Sequence, residues 1–194
     1  MFNAVRQFVN KHVPMMKFKN IIEGSHGTSK SRSERIMNEG FKLSSGRYGT
    51  GAYFWKKSYY YIELAKSWYM QAHHKGVYTE DSNDECAILI VELKCLKRRL
   101  LDFEKTDLKD KIAKLAAEKG IEITDNERIS GLYDMFIKRL ERESRCTFQL
   151  YCTRVAPPYR KFFPEYPIRI IGAPECIISR DQSCIQVKEI REVF

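Results

Sequence analysis

Gly24-Ser25-His26-Gly27-Thr28-Ser29, followed by Gly46-Arg47-Tyr48-Gly49-Thr50-Gly51-Ala52-Tyr53-Phe54, is the stretch on which the reading of this chain turns. Ile21 and Ile22 read as the end of a short strand that leads into His26. Ser31 or Ser33 can cap a helix, and Gly40 can close it in a left-handed conformation. The glycine-rich loop then lets the backbone approach a ligand closely before an aromatic strand, Ala52 to Trp55. Gly46-x-x-Gly49-x-Gly51 is followed by a strand instead of a helix, so it is not a dinucleotide fingerprint, and it lacks the Gly-Lys-Ser/Thr ending of a phosphate-binding loop.

Working outward, the 194 residues fit a single domain, residues 1–194, large enough for a real core. No long uncharged apolar run is present, so no transmembrane helix and no membrane partner are expected. Phe2, Val5, Phe8, Val9 and Val13 fit a short amphipathic helix, broken by charge too early for an export signal. None of the cysteines at 86, 95, 146, 152, 176 and 184 forms a Cys-x-x-Cys pair, so reduced thiols, no metal and a cytoplasmic location are expected. Residues 1–75 carry 13 Lys and Arg against 4 Asp and Glu, whereas residues 76–194 carry 21 of each. The half with the His-Gly and Tyr-Phe motifs thus holds the whole net charge of +9, which suits an anionic partner such as RNA or DNA, a dinucleotide, or solubility alone.

Ser58 to Lys75 reads as a helix with Tyr61, Leu64, Ala65, Trp68 and Ala72 on its buried face. Cys86 to Leu93 is apolar on both faces and belongs in the middle of a sheet. A charged helical insertion, about residues 105–145, follows, with helices from Thr106 to Gly120 and from Ile129 to Arg142. Strands are then expected at Thr147–Val155, Ile168–Ile171, Glu175–Ser179 and Cys184–Ile190, with a loop of interleaved basic and aromatic residues at Tyr159, Arg160, Lys161, Phe162, Phe163 and Tyr166.

The His26-Gly27-Thr28 motif, the Gly40-Phe41 pair closing a helix, and Gly49-Thr50-Gly51-Ala52-Tyr53-Phe54 together resemble the NAD-binding signature of ADP-ribosyltransferases of the poly(ADP-ribose) polymerase and diphtheria-toxin type. The match covers about a sixth of the chain. A second resemblance is Pro174-Glu175-Cys176-Ile177-Ile178, like the family's strand opened by the catalytic glutamate, paired with a final strand like Ile185–Ile190. The resemblance implies an α+β fold, with a core of two facing antiparallel sheets, flanking helices and the insertion. It implies NAD as substrate and His26, Tyr53 and Glu175 as the catalytic set. Cofactor contacts would come from His26, Gly27, Thr28, Tyr53 and an aromatic residue of the next helix, Trp68 or, by another alignment, Tyr69. Ser25 and Arg47 would be pocket neighbours.

These residue types suit the chemistry. Cleaving a nicotinamide–ribose bond generates an oxocarbenium-like sugar, which a nearby carboxylate stabilises. The resemblance implies that Glu175 does this, that Tyr53 faces the nicotinamide ring, and that His26 anchors the adenosine-side ribose. The expected activity is mono-ADP-ribosyl transfer to a macromolecule, nucleic acid or protein, as in a stand-alone toxin or defence effector with a neutralising antitoxin. Hydrolysis of NAD and non-catalytic binding of NAD or ADP-ribose are the alternatives. With histidines only at 12, 26, 73 and 74, a Ser-His-Asp triad or a zinc cluster is not supported.

Overall fold

The computed structural model describes residues 19–104, 107–122 and 124–192. The expected helix over Phe2–Val13 and the Thr106 cap lie outside the described residues. β1 (Lys19–Ser29) runs through the whole first motif, so the strand does not stop at Ile22 and His26 and Gly27 lie within it. It pairs antiparallel with β4 (Cys86–Leu96) along its full length, from Lys19↔Leu96 to Ser29↔Cys86. α1 (Lys30–Glu39) begins where β1 ends because Ser29 is its cap: the Oγ accepts from the Arg32 N–H at 3.3 Å, while Ser31 and Ser33 lie inside the helix.

β2 (Ser44–Gly46) and β3 (Gly49–Lys56) form a hairpin, and α2 (Tyr61–His74) follows. After β4 come β5 (Leu100–Asp102), α3 (Leu108–Glu118), α4 (Asn126–Ser144) and β6 (Leu150–Arg154). α5 (Ile168–Ile171), β7 (Glu175–Ser179) and β8 (Ile185–Glu192) complete the order. Among the described residues the architecture is α+β with one sheet in the order β5-β6-β7-β3-β1-β4-β8, β2 attached to β3, and only the β5–β6 pair parallel.

Three expectations are corrected. The strands form one continuous sheet, not two facing sheets, because the halves remain joined by a short ladder between β1 and β3. β7 lies between β3 and β6, whereas β8 pairs with β4 at the far edge, so the glutamate strand and the final strand are not partners. Ile168–Ile171 is a turn of helix bracketed by Pro167 and Gly172 and is not a strand of the sheet, and Ile170 is 84% exposed.

Alternation along the strands divides the core between the two faces of the sheet. One face sends Trp55, Ile88, Ile90, Tyr151, Cys176 and Ile178 against Leu64 and Ala65 of α2, Ile112 of α3 and Ile137 of α4. The other sends Phe54, Leu89, Val91, Leu93, Cys152 and Ile177 against Phe41, Ile36 of α1 and Cys184. Burial of these apolar side chains is what selects the pairing register, since a one-residue slip would turn each strand inside out. All six cysteines are free, and burial pushes the thiols of Cys152 and Cys176 up to about 12. No described helix is long and apolar enough to cross a membrane.

Candidate active site

The sheet has one weak seam. β1 and β3 are paired at only two positions, Gly24↔Lys56 and Ser25↔Trp55. Beyond Ser25, β1 continues with β4 alone, and upstream of Trp55, β3 continues with β7 and β2. The first residues past the seam are His26 on β1 and Phe54 and Tyr53 on β3. A strand edge released in this way presents backbone N–H and C=O groups with no ladder partner across the gap.

His26 marks the fork. Its Nδ1 lies 2.9 Å from the Tyr53 carbonyl oxygen, which can only accept, so Nδ1 carries the proton. The ring stands edge-on to Phe41, centroids 5.3 Å apart, and tilted to Phe54 at 5.9 Å. Loss of solvation between these rings lowers its pKa below the usual 6.5, outweighing the bond to Tyr53, which favours the charged form. The neutral imidazole therefore offers Nε2 as an acceptor, suited to a hydroxyl donor such as a ribose.

Tyr53 lies on the opposite face from His26, with the α2 and α4 side of the core. Its hydroxyl donates to the Gly49 carbonyl at 2.5 Å and accepts from the Tyr48 N–H at 3.2 Å, folding the ring over the β2–β3 turn. Burial pushes its phenol well above the ordinary value of 10. The turn is held from above by α4: Asp134 accepts from the Thr50 N–H at 3.0 Å and from its hydroxyl at 2.7 Å. Gly49, at φ 103, makes the turn where a side chain would be strained. Gly46 and Gly51 let the hairpin pack closely, since a Cβ would lie 2.6 Å from the Tyr53 ring at the first and 2.7 Å from the Ser179 carbonyl oxygen at the second. Arg47 is exposed at this turn and makes no ion pair among the described residues.

α2 crosses β1 at Gly27. A Cβ there would sit 2.0 Å from the Ala65 carbonyl oxygen and 3.3 Å from the Tyr69 Cβ, so the glycine permits the helix to lie on the strand. Ser25 donates to the Tyr61 carbonyl at 2.5 Å, and Thr28 is buried beside the Tyr78 hydroxyl. Trp68 is the departure from expectation. At 100° per residue it lies four residues after Leu64, three after Ala65 and three before Gln71, all buried, yet it is 46% exposed. It is therefore not buried with its stripe. The neighbouring Tyr69 is buried instead, stacked on Tyr78 with centroids 5.2 Å apart. The Tyr69 flank of α2 packs toward Asp84, and the Ser67 and Gln71 flank packs on residues 159–162. Trp68 lies between those flanks on the helix and is left half exposed.

Glu175 opens β7 and shares His26's face of the sheet, since Lys56, Phe54 and Ile177 alternate with Trp55 and Cys176. Its Oε2 is ion-paired with Lys56 Nζ, both groups being partly exposed, and the Cys152 Sγ lies 3.9 Å away. The structure thus brings His26 to Tyr53 and sets Glu175 two strands from His26 on one face, with Phe54 between them. Lys56 and Asp134 were not found from sequence. Lys56 lies two residues after Phe54, on the same face by alternation, but its partner follows only from the β3–β7 register. No cluster of three metal-ligating side chains occurs among the described residues. Compared with known proteins, the chain matches no protein-family model and no curated sequence.

Proposed function

We propose that this protein binds NAD at the parting of β1 and β3 and transfers ADP-ribose from it, one unit at a time, to a macromolecular acceptor. The observation that carries the reading is the two-pair seam: the sheet opens at the residues that resemble an NAD-binding signature. The released edge at Gly27 can hydrogen-bond a carboxamide as a further strand would. His26 Nε2 accepts from a ribose hydroxyl, Tyr53 and Trp68 supply ring faces on the other side of the sheet, and Glu175 provides the carboxylate. When the bond between ribose C1 and the nicotinamide nitrogen breaks, its electron pair leaves with nicotinamide. Glu175, released from Lys56, bonds the ribose 2′-hydroxyl and stabilises the positive charge that develops. The acceptor's nucleophile then bonds C1 and loses its proton to solvent water.

Incubating the protein with adenine-labelled NAD and a cell extract tests this. Label carried on a macromolecule and abolished in Glu175→Gln supports transfer. Free ADP-ribose alone would make the protein an NAD glycohydrolase, and unchanged NAD would leave a binding module.

A further inference from the structure

α2 ends in His73, whose Nε2 lies 2.8 Å from Asp84 Oδ2, and His74, with Lys75 capping it, and the loop over residues 156–167 is folded against that end. Ser67 Oγ donates to the Phe162 carbonyl at 3.0 Å, and the Tyr159 N–H donates to Gln71 Oε1 at 2.8 Å. These two bonds bring together side chains far apart in the chain. Lys75 Nζ stands 5.2 Å over the centre of the Tyr159 ring, and Lys161 Nζ stands 5.6 Å over that of Phe162. Lys161 Nζ is also 3.2 Å from His74 Nε2, whose ring lies 5.6 Å from that of Phe162. Lys75, Arg160 and Lys161 are exposed and make no ion pair among the described residues. On α2 and the loop the only carboxylates are Glu63 and Glu165.

An ammonium and an imidazole in contact, with no carboxylate between them, form a place short of negative charge. Lys161 Nζ donates to His74 Nε2, so a phosphate oxygen can accept from the remaining ammonium N–H groups and from the N–H on His74 Nδ1. Tyr159 is 61% exposed, and with Lys75 over one face of its ring the other face can stack on a base. Lys75 is seven residues beyond Trp68, so the two lie on one stripe of α2 about 10 Å apart along its axis. The ridge therefore runs along α2 from Trp68 toward the His74–Lys161 pair.

We propose that this ridge docks single-stranded nucleic acid, with Lys75, His74 and Lys161 on phosphates and Tyr159 stacked on a base. Interleaved rings decide between anionic partners. An acidic peptide would use the cations alone, whereas unpaired bases gain from each exposed ring. The inference deepens the proposed transfer by naming its acceptor, and it rests on that reading only for what happens after docking.

The test is fluorescence anisotropy with labelled single-stranded RNA and DNA of about twelve nucleotides, a length that spans one such binding surface, in parallel with calorimetry on NAD. Lys75→Glu/Lys161→Glu should lower affinity more than tenfold and flatten the plot of log affinity against log salt by about 1.4, two phosphate contacts at roughly 0.7 each. Tyr159→Ala should weaken binding about 5- to 100-fold with a smaller change in salt slope. NAD affinity and the urea midpoint should not move in either variant. Absence of salt-dependent binding by the wild type, or wild-type affinity in the variants, overturns the proposal. So does equal binding of poly-glutamate with the same sensitivity to substitution, which would make the partner an acidic protein. Loss of oligonucleotide binding in the variants of a protein that never consumes NAD would uphold the ridge and remove the transferase reading.

Discussion

Gly27→Ala is the sharpest perturbation of the α2–β1 contact. The added Cβ would lie 2.0 Å from the Ala65 carbonyl oxygen and 2.7 Å from its carbon, whereas real Cβ contacts essentially never fall below 3.0 Å. The obstacle is the backbone of a helix, so no side-chain rotation relieves it and α2 must retreat by about 1 Å. Overpacking of this kind costs about 1–3 kcal/mol, and a backbone obstacle puts Gly27→Ala near 3. In a domain of this size that lowers the melting temperature by roughly 6–12 °C. The displaced helix also shifts the strand at Gly27, where the proposed NAD site lies, so NAD affinity should fall in the fraction that remains folded. Urea unfolding with both transition midpoint and slope measured is the assay, since an unchanged slope reports stability alone. Gly131→Ala is the control: this α4 position has nothing within 4 Å of a built Cβ, so the same substitution should stabilise by about 0.5–1 kcal/mol. If Gly27→Ala melts within about 2 °C of wild type, well short of the expected loss, the account of why glycine stands there is wrong.

Glu175→Gln should leave NAD binding nearly intact and lower kcat about 10²-fold or more at saturating NAD, because the charge acts only on the developing cation. Its stability should change by less than about 1 kcal/mol, as the Lys56 pair is partly solvated. Full turnover in that variant would remove Glu175 from the reaction. Tyr53→Phe deletes the bonds to Gly49 and Tyr48 and should cost about 1–2 kcal/mol of stability while keeping NAD affinity. Tyr53→Ala should in addition weaken NAD about tenfold by calorimetry through loss of the ring. His26 is held neutral when folded, with its pKa below the 6.5 of the unfolded chain. Its contribution is therefore complete above pH 6.5 and is lost as pH falls below it, by up to about 1.4 kcal/mol per unit. Chemical denaturation of His26→Asn, which keeps a donor for the Tyr53 carbonyl, should show a flatter acid limb than wild type.

Local chemistry in the sequence determined much of the order of elements. A glycine-rich turn ahead of an aromatic run gave β3, unbroken apolarity gave β4 as a strand paired on both sides, and helical spacing gave Leu64 and Ala65 as buried positions of α2. Glu175 was legible as the first residue of a late strand. Periodicity states which residues of an element share a face, but it carries nothing about which strand lies alongside. The tertiary structure alone therefore decided that β7 sits between β3 and β6 instead of beside β8, and hence that Glu175 meets Lys56. It also decided that β1 and β3 part after two pairs, so that beyond Ser25 a ring nitrogen of His26, and no ladder bond, holds the Tyr53 carbonyl. Trp68 shows the same division in one residue. Helical phase turns it inward, but exposure depends on what lies beneath, and the two flanks of α2 that find support leave it half exposed between them.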